Sequence, residues 1–448
     1  MKRKSIFVAG LILFASAVQV FAGADLSAVR MADCTKKIVL KSVDFPGNNR
    51  EEGFWGPIHA ASDGKVYMIL CTEGGGHAHF YIYDPAKDQM THRQDLAKFL
   101  GGSGRGIRTH AKVHSAIRED KDGNLYFATG NMGAGPDEID PTSWEGGHWL
   151  KYDTKTDTLT DLGLVTPHAG IYGLAIDKDR KRLLGVSRNS HFMVYDIPTG
   201  KTYDKGRVNM DASVASRMVV SDDLGNAYGT FEPDRIFKYD AASERVLDLH
   251  LRLPSDPTVY PRTTSIVKRY MRAGVWDDVN KKMYGVEGCT SILFEYDPKA
   301  GEEGQIKVLD RLLPCQSSEE VKKAHYATLS LTIGRDRKIY YMPIGSLDAK
   351  DHERANKGID FFKWAGQGYL ISYDLNTGKK EELGRIFTQD GAMMIDTLMG
   401  APSGAATTGL DGTIYFCAYV EEKNPEFAAR HFGNLPVRLR LLMYKPPK

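Results

Sequence analysis

One feature constrains this chain more than any other: a strand, a tight turn and a second strand recur seven times. The hairpins read as Ala60–Cys71, His114–Thr129, Tyr172–Ser187, Met218–Phe231, Ala273–Val286, Thr328–Pro343 and Ala405–Ala418. The clearest copy is AKVHSAIREDKDGNLYFATG, residues 111–130. Asp122-Gly123 between two strand-like runs is a strong hairpin signal, because glycine takes the positive φ that the turn needs. An aromatic third strand ending in Tyr-Asp follows each hairpin, at Tyr83-Asp84, Tyr152-Asp153, Tyr195-Asp196, Tyr239-Asp240, Tyr296-Asp297 and Tyr373-Asp374. Tyr444-Lys445 is a degenerate seventh copy. Turns such as Pro198-Thr199-Gly200 then lead into a short fourth strand.

Four antiparallel strands repeated seven times predict an all-β, seven-bladed β-propeller. The last copy ends without a fourth strand, and Lys36–Val43 precedes the first hairpin. That segment is expected to complete the last blade and close the ring. The 45 glycines and 10% aromatics suit a protein with many turns. A net charge of +2 argues against nucleic acid as a partner. Residues 1–22 read as a secretory signal: a charged start through Lys4, an apolar run from Ile6 to Val20, and small-residue cleavage after Ala22. The mature chain, 23–448, is then one propeller domain, secreted or periplasmic, monomeric, and not membrane-bound once the signal is removed. An uncleaved membrane anchor is the alternative reading. Five cysteines are too few and too scattered for a disulfide framework.

Propeller topology sorts the connections. The long ones, among them 97–113, 131–147, 254–272 and 345–368, all fall on the face where the inner strands begin. Long loops on one face of a rigid scaffold mark where function sits. Inner-strand starts bring His114, Tyr172, Arg217 and Arg272 to one level, with His59 as an addition. Second-strand ends add Arg188, Asn131, Glu232 and the segment from Glu73 to His79. Arginine forks match a carboxylate or sulfate, and His or Tyr can move protons, so the ring suits an anionic ligand with hydroxyls. Each residue also has an ordinary structural reading as a packed or paired rim group. Cys289, Cys315 and His325 fall on the same face and could meet around a structural zinc, with His352 or His110 as a fourth ligand. A Cys289–Cys315 disulfide is the competing reading. No nucleotide or organic cofactor motif occurs.

The runs VHSAIREDKDGNLYFATG, GGHWLKYD, GIYGLAID and GVSRNSHFMVYD resemble blades of secreted seven-bladed polysaccharide lyases, most of all the ulvan lyases. Related propellers act on rhamnosyl-glucuronate ends. The motif-level likeness covers residues 111–196. In that family a His on an inner strand, a Tyr, and an Arg sixteen residues after the Tyr form the catalytic group. His114, Tyr172 and Arg188 match it, and Asn131, His59, Arg217 and Arg272 are left to bind substrate. A zinc supports the site in these lyases. The likeness departs at Gly130-Asn131, where the lyases carry a second His: Asn131 binds instead of catalysing, or the substrate differs, or activity is lost. The implied reaction is β-elimination at a uronic acid. Two alternatives stay open. One is a glycoside hydrolase, for which Glu73, Glu232 and Glu287 are available carboxylates. The other is a non-catalytic glycan-binding propeller.

Overall fold

The computed structural model describes residues 36–47, 53–71, 77–101, 110–130, 144–209, 216, 218–231, 234–255, 270–313, 327–345, 347, 353, 357, 365–397, 404–424 and 436–447. The segment read as a signal, residues 1–22, and most of the long connections lie outside them. No helix among the described residues is long and apolar enough to cross a membrane.

The repeat has a local cause at each turn. In the second hairpin the Asp120 carboxylate accepts the main-chain N–H groups of Asp122 and Asn124, each at 2.9 Å, and the Tyr126 hydroxyl at 3.2 Å. The fourth hairpin repeats this with Asp222, which takes Leu224 and Asn226 at 2.9 Å and the Tyr228 hydroxyl at 2.9 Å. Gly123 and Gly225 supply the positive φ, +87° and +82°. The Tyr-Asp signature works in the same way. Asp153, Asp196, Asp240 and Asp374 each accept a main-chain N–H from three residues on, which makes the turn into the outer strand. The tyrosines before them are buried.

These units assemble into an all-β, propeller-like arrangement. Among the described residues, five sheets have four antiparallel strands each. In the first they are Ile58–Ala60, Val66–Leu70, His79–Asp84 and Gln89–Asp95; in the second, Arg118–Glu119, Asn124–Ala128, His148–Asp153 and Thr158–Leu164. The third runs from Ile171–Asp177 through Arg182–Ser187 and His191–Asp196 to Lys201–Arg207. The fourth begins at Val220–Ser221 and the fifth at Met271–Asp277. The remaining strands form one longer sheet. Its main path runs from Thr332–Ile333 through Lys380–Thr388 to Lys37–Asp44, then to Val437–Tyr444 and on to Ala405–Thr408. Lys37–Asp44 pairs antiparallel with the C-terminal strand (Lys41 opposite Met443) and parallel with Lys380–Thr388 (Lys37 opposite Arg385).

Apolar clusters sit between successive sheets. Tyr172, Phe192, Phe237 and Tyr239 join the third sheet to the fourth, and Val220, Met271 and Phe294 join the fourth to the fifth. A further cluster carries Tyr67, Phe80 and Phe127 of the first two sheets together with Tyr415, Leu439 and Leu441 of the last strands. The inner strands surround a central channel of about 530 Å³, lined from Trp55 and His114 at one end to Asp179, Asp223 and Asp278 at the other.

Candidate functional site

The end of the channel where the inner strands begin carries His114 and Trp55 on its wall, with Tyr172 and Lys112 packed against them. His114, 6% exposed, is on the channel wall beside Trp55, with ring centroids 5.8 Å apart. Tyr172, also 6% exposed, meets His114 edge to face at 4.6 Å. Lys112 is buried with its Nζ 3.6 Å from the Trp55 ring centroid, a cation–π contact. Arg188 follows the second strand of the third sheet, and its N–H donates to the Gly170 carbonyl at 2.8 Å. Tyr172 occupies a β-bulge between the pairs Ile171–Ser187 and Gly173–Val186. A bulge re-aims a side chain, and here it accompanies the turn of the ring toward His114.

Glycine backbone sets the spacing of this end. A Cβ on Gly170 would lie 2.4 Å from the Gly130 Cα and 2.4 Å from the Thr129 carbonyl oxygen. One on Gly147 would lie 2.1 Å from the Thr129 oxygen. Main chain therefore packs directly on main chain where the second sheet meets the third. That seam brings the segment carrying Tyr172 and Arg188 up to the one carrying Lys112 and His114.

His114 and Tyr172, expected at one level of the ring, have ring centroids 4.6 Å apart; Lys112 and Trp55 beside them were not among the expected residues. Lys112 had a signal: it stands two residues before His114, and alternate residues of an extended segment share a side. One expected binding residue needs correction. Arg272 is wholly buried, and its Nε–H donates to the Ala327 carbonyl at 3.0 Å, which leaves it no surface to offer a substrate. It occupies a bulge between Met271–Glu287 and Ala273–Val286, the counterpart of the Tyr172 bulge, but its guanidinium ties two segments together. His59 lies deeper along the channel, close to its hairpin turn, with Nε2 3.0 Å from the Glu119 carboxylate of the next sheet. Asn131 and Arg217 lie outside the described residues, as do Cys315, His325 and His352. Cys289 is buried, and Glu287 beside it accepts the N–H groups of Cys289 and Thr290 at 3.0 and 2.8 Å and the Thr290 hydroxyl at 2.5 Å. Glu73 and Glu232 are also outside the described residues.

Arg118 spans the channel wall, donating to the Leu174 and Val219 carbonyls at 2.7 and 3.3 Å. Burial lowers its pKa to about 10, so it stays charged at neutral pH. A second cluster lies beside the second sheet, next to the start of its His148–Asp153 strand. His110, Glu145 and His148 place one ligand-type atom each within 4.8 Å of one another. His148 Nε2 is 3.3 Å, and His110 Nε2 4.0 Å, from a Glu145 oxygen. Burial, reinforced by His148, lowers His110 to about 4.

No protein-family model matches the chain, and the search of curated proteins gives no match. Solved structures do match. One is a chain of the mitotic checkpoint complex, at 11% identity and a TM-score of 0.51, covering 91% of this chain and 95% of that one. Another is the extracellular domain of a hybrid two-component system from B. thetaiotaomicron, at 11% identity and a TM-score of 0.50. It covers 90% of this chain, which spans 39% of that one. At such identity the likeness is one of fold alone.

Proposed function

We propose that the chain is a secreted seven-bladed propeller lyase that cleaves a uronic-acid-containing polysaccharide, ulvan-like in its rhamnose and glucuronate, by β-elimination. The long sheet is read as two blades that share Lys37–Asp44, which makes seven with the other five. The observation that carries the functional reading is the His114–Tyr172 pair, 4.6 Å between ring centroids, at the end of the channel where Arg188 leaves its strand.

The proton on C5 of a uronate is poorly acidic while the neighbouring carboxylate is charged. In this reading Arg188 pairs with that carboxylate and stabilises the charge that develops as the proton leaves. One of His114 and Tyr172 removes the C5 proton, and the other protonates the C4 oxygen as the C4–O bond breaks. The electron pair from C5 becomes the C4–C5 double bond, so atoms and charge balance without a cofactor. Lys112, held against Trp55, adds positive charge beside His114. Of the zinc donors read from the sequence, Cys289 and His110 are among the described residues. The hydrolase alternative loses Glu287, whose carboxylate is buried and takes three donors.

The test is the ultraviolet absorbance of unsaturated uronate when the mature protein meets ulvan and rhamnose-capped glucuronate glycans. A rise on one substrate that is abolished in Arg188→Ala, at an unchanged unfolding midpoint, is expected. Near-normal turnover in Arg188→Ala would remove that residue's role. A flat trace across the panel, with binding by titration, would make the chain a glycan-binding propeller.

A further inference from the structure

The His110, Glu145 and His148 cluster stands out against the repeat that contains it. A basic side chain at the start of the third strand pairs with an aspartate in the bulge of the fourth strand, thirteen residues on, in three successive sheets. His148 does so with Asp161 at 2.9 Å, His191 with Asp204 at 2.7 Å and Arg235 with Asp248 at 2.7 Å. The pair is therefore part of the blade's framework. Only in the second sheet do a further imidazole and a further carboxylate close on the outer nitrogen of that residue, among the described residues. His148 Nε2 is there buried without a hydrogen-bond partner.

The surrounding hydrogen bonds set the ring nitrogens for metal binding. An ionised Asp161 only accepts, so it holds the proton of a neutral His148 on Nδ1 and leaves the Nε2 lone pair facing Glu145. His110 meets the Thr129 hydroxyl through Nδ1 at 2.9 Å, which likewise leaves its Nε2 toward the cluster. The Thr129 oxygen also accepts the His148 main-chain N–H at 2.9 Å, so one hydroxyl positions both histidines. The Glu145 carbonyl takes the His168 N–H at 2.9 Å, and His168 Nδ1 is 2.6 Å from the Trp144 carbonyl oxygen. Metal-bound histidines characteristically have such partners on the other nitrogen.

We propose that His110 Nε2, His148 Nε2 and a Glu145 carboxylate oxygen bind a zinc-class divalent ion, with a fourth position open to water or an anionic ligand. Two imidazoles with one carboxylate select zinc over calcium or magnesium. Metal–ligand bonds of about 2.0–2.1 Å in a tetrahedron set ligand atoms roughly 3.3 Å apart. The His148–Glu145 separation already meets that spacing, and His110 needs only a small rotation to follow. The site is independent of the reaction proposed above and distinct from any site built on Cys289.

The experiment is a zinc titration of the metal-stripped mature protein against a chromogenic chelator, paired with cobalt substitution. One equivalent is expected, with tetrahedral d–d bands and no thiolate charge-transfer band. His110→Ala and His148→Ala should each lower affinity at least about 100-fold, and Asp161→Asn by about 10–100-fold. His191→Ala, the framework pair of the next sheet, should leave binding unchanged. Unfolding midpoints of the metal-free variants, compared with that of the metal-free parent, show that each is folded. Less than stoichiometric binding would overturn the proposal. So would unchanged affinity in the folded His110→Ala/His148→Ala double variant, and a thiolate band persisting there would place the ion at cysteine instead.

Discussion

Glu119 shows how one carboxylate can be held at several points in the channel wall. It faces the His59 ring of the preceding sheet and accepts the Ser62 N–H at 3.0 Å. Burial pushes its carboxyl up, but the His59 ring and Ser62 outweigh that and bring it down to about 2. A depressed acid contributes stability that is present above its unfolded pKa and lost as pH falls through the folded value. Glu119→Gln is therefore expected to destabilise the protein by about 1.5–3 kcal/mol at neutral pH. The difference from the parent should shrink between the ordinary glutamate pKa and about 2. Chemical denaturation at a series of pH values checks this, and a gap constant with pH would refute it. Residues of this kind mark the limit of what the sequence displays. The bulges that turn Tyr172 toward His114 and Arg272 into the interior occupy equivalent places, and no residue type announces which way the side chain goes. Lys112 was legible only as a neighbour of His114, because its contact with Trp55 joins segments far apart in the chain.

At the scale of elements, the hairpins were legible because their chemistry is local. An aspartate that accepts two main-chain N–H groups, a glycine at positive φ and a tyrosine a few residues on all lie within one short window. The seam between the second and third sheets was not legible, because it depends on glycines from three separate segments. It also yields an asymmetric prediction. Gly170→Ala would drive a Cβ to 2.4 Å from the Gly130 Cα, whereas a Cβ on Gly130 would meet nothing closer than the Lys112 carbonyl at 3.8 Å. Gly170→Ala should cost about 1–3 kcal/mol, as overpacking does, and, under the proposed lyase reaction, depress turnover by moving Tyr172 and Arg188 relative to His114. Gly130→Ala should match the parent in both thermal unfolding and turnover, although the two glycines face each other. Equal effects of the two substitutions would show that the seam does not set the spacing of the site.

At the scale of the molecule, the question is what joins the two ends of the chain. Lys37–Asp44 gives its first half to Lys380–Thr388 and its second half to the C-terminal strand. Leu40 is buried among Ile386, Phe416 and Leu442. Asp44 lies 2.8 Å from Arg440 and 3.5 Å from Arg438. One short strand thus satisfies the hydrogen-bonding edges of two others, seals an apolar cluster and adds one carboxylate to a pair of partly buried arginines that also meet Glu422 and Asp390. Removing it exposes two unpaired strand edges at once, a condition that favours aggregation. A chain that begins at Phe45 is expected to lose cooperative unfolding or precipitate, and Leu40→Asp to lower the unfolding midpoint in a full-length chain. A synthetic peptide spanning 36–44 should restore solubility by adding back the missing strand, since main-chain pairing supplies affinity in strand addition. A truncated chain that unfolds at the parental midpoint would mean that the remaining sheets hold together without this strand, and that the ends are joined by side-chain packing alone.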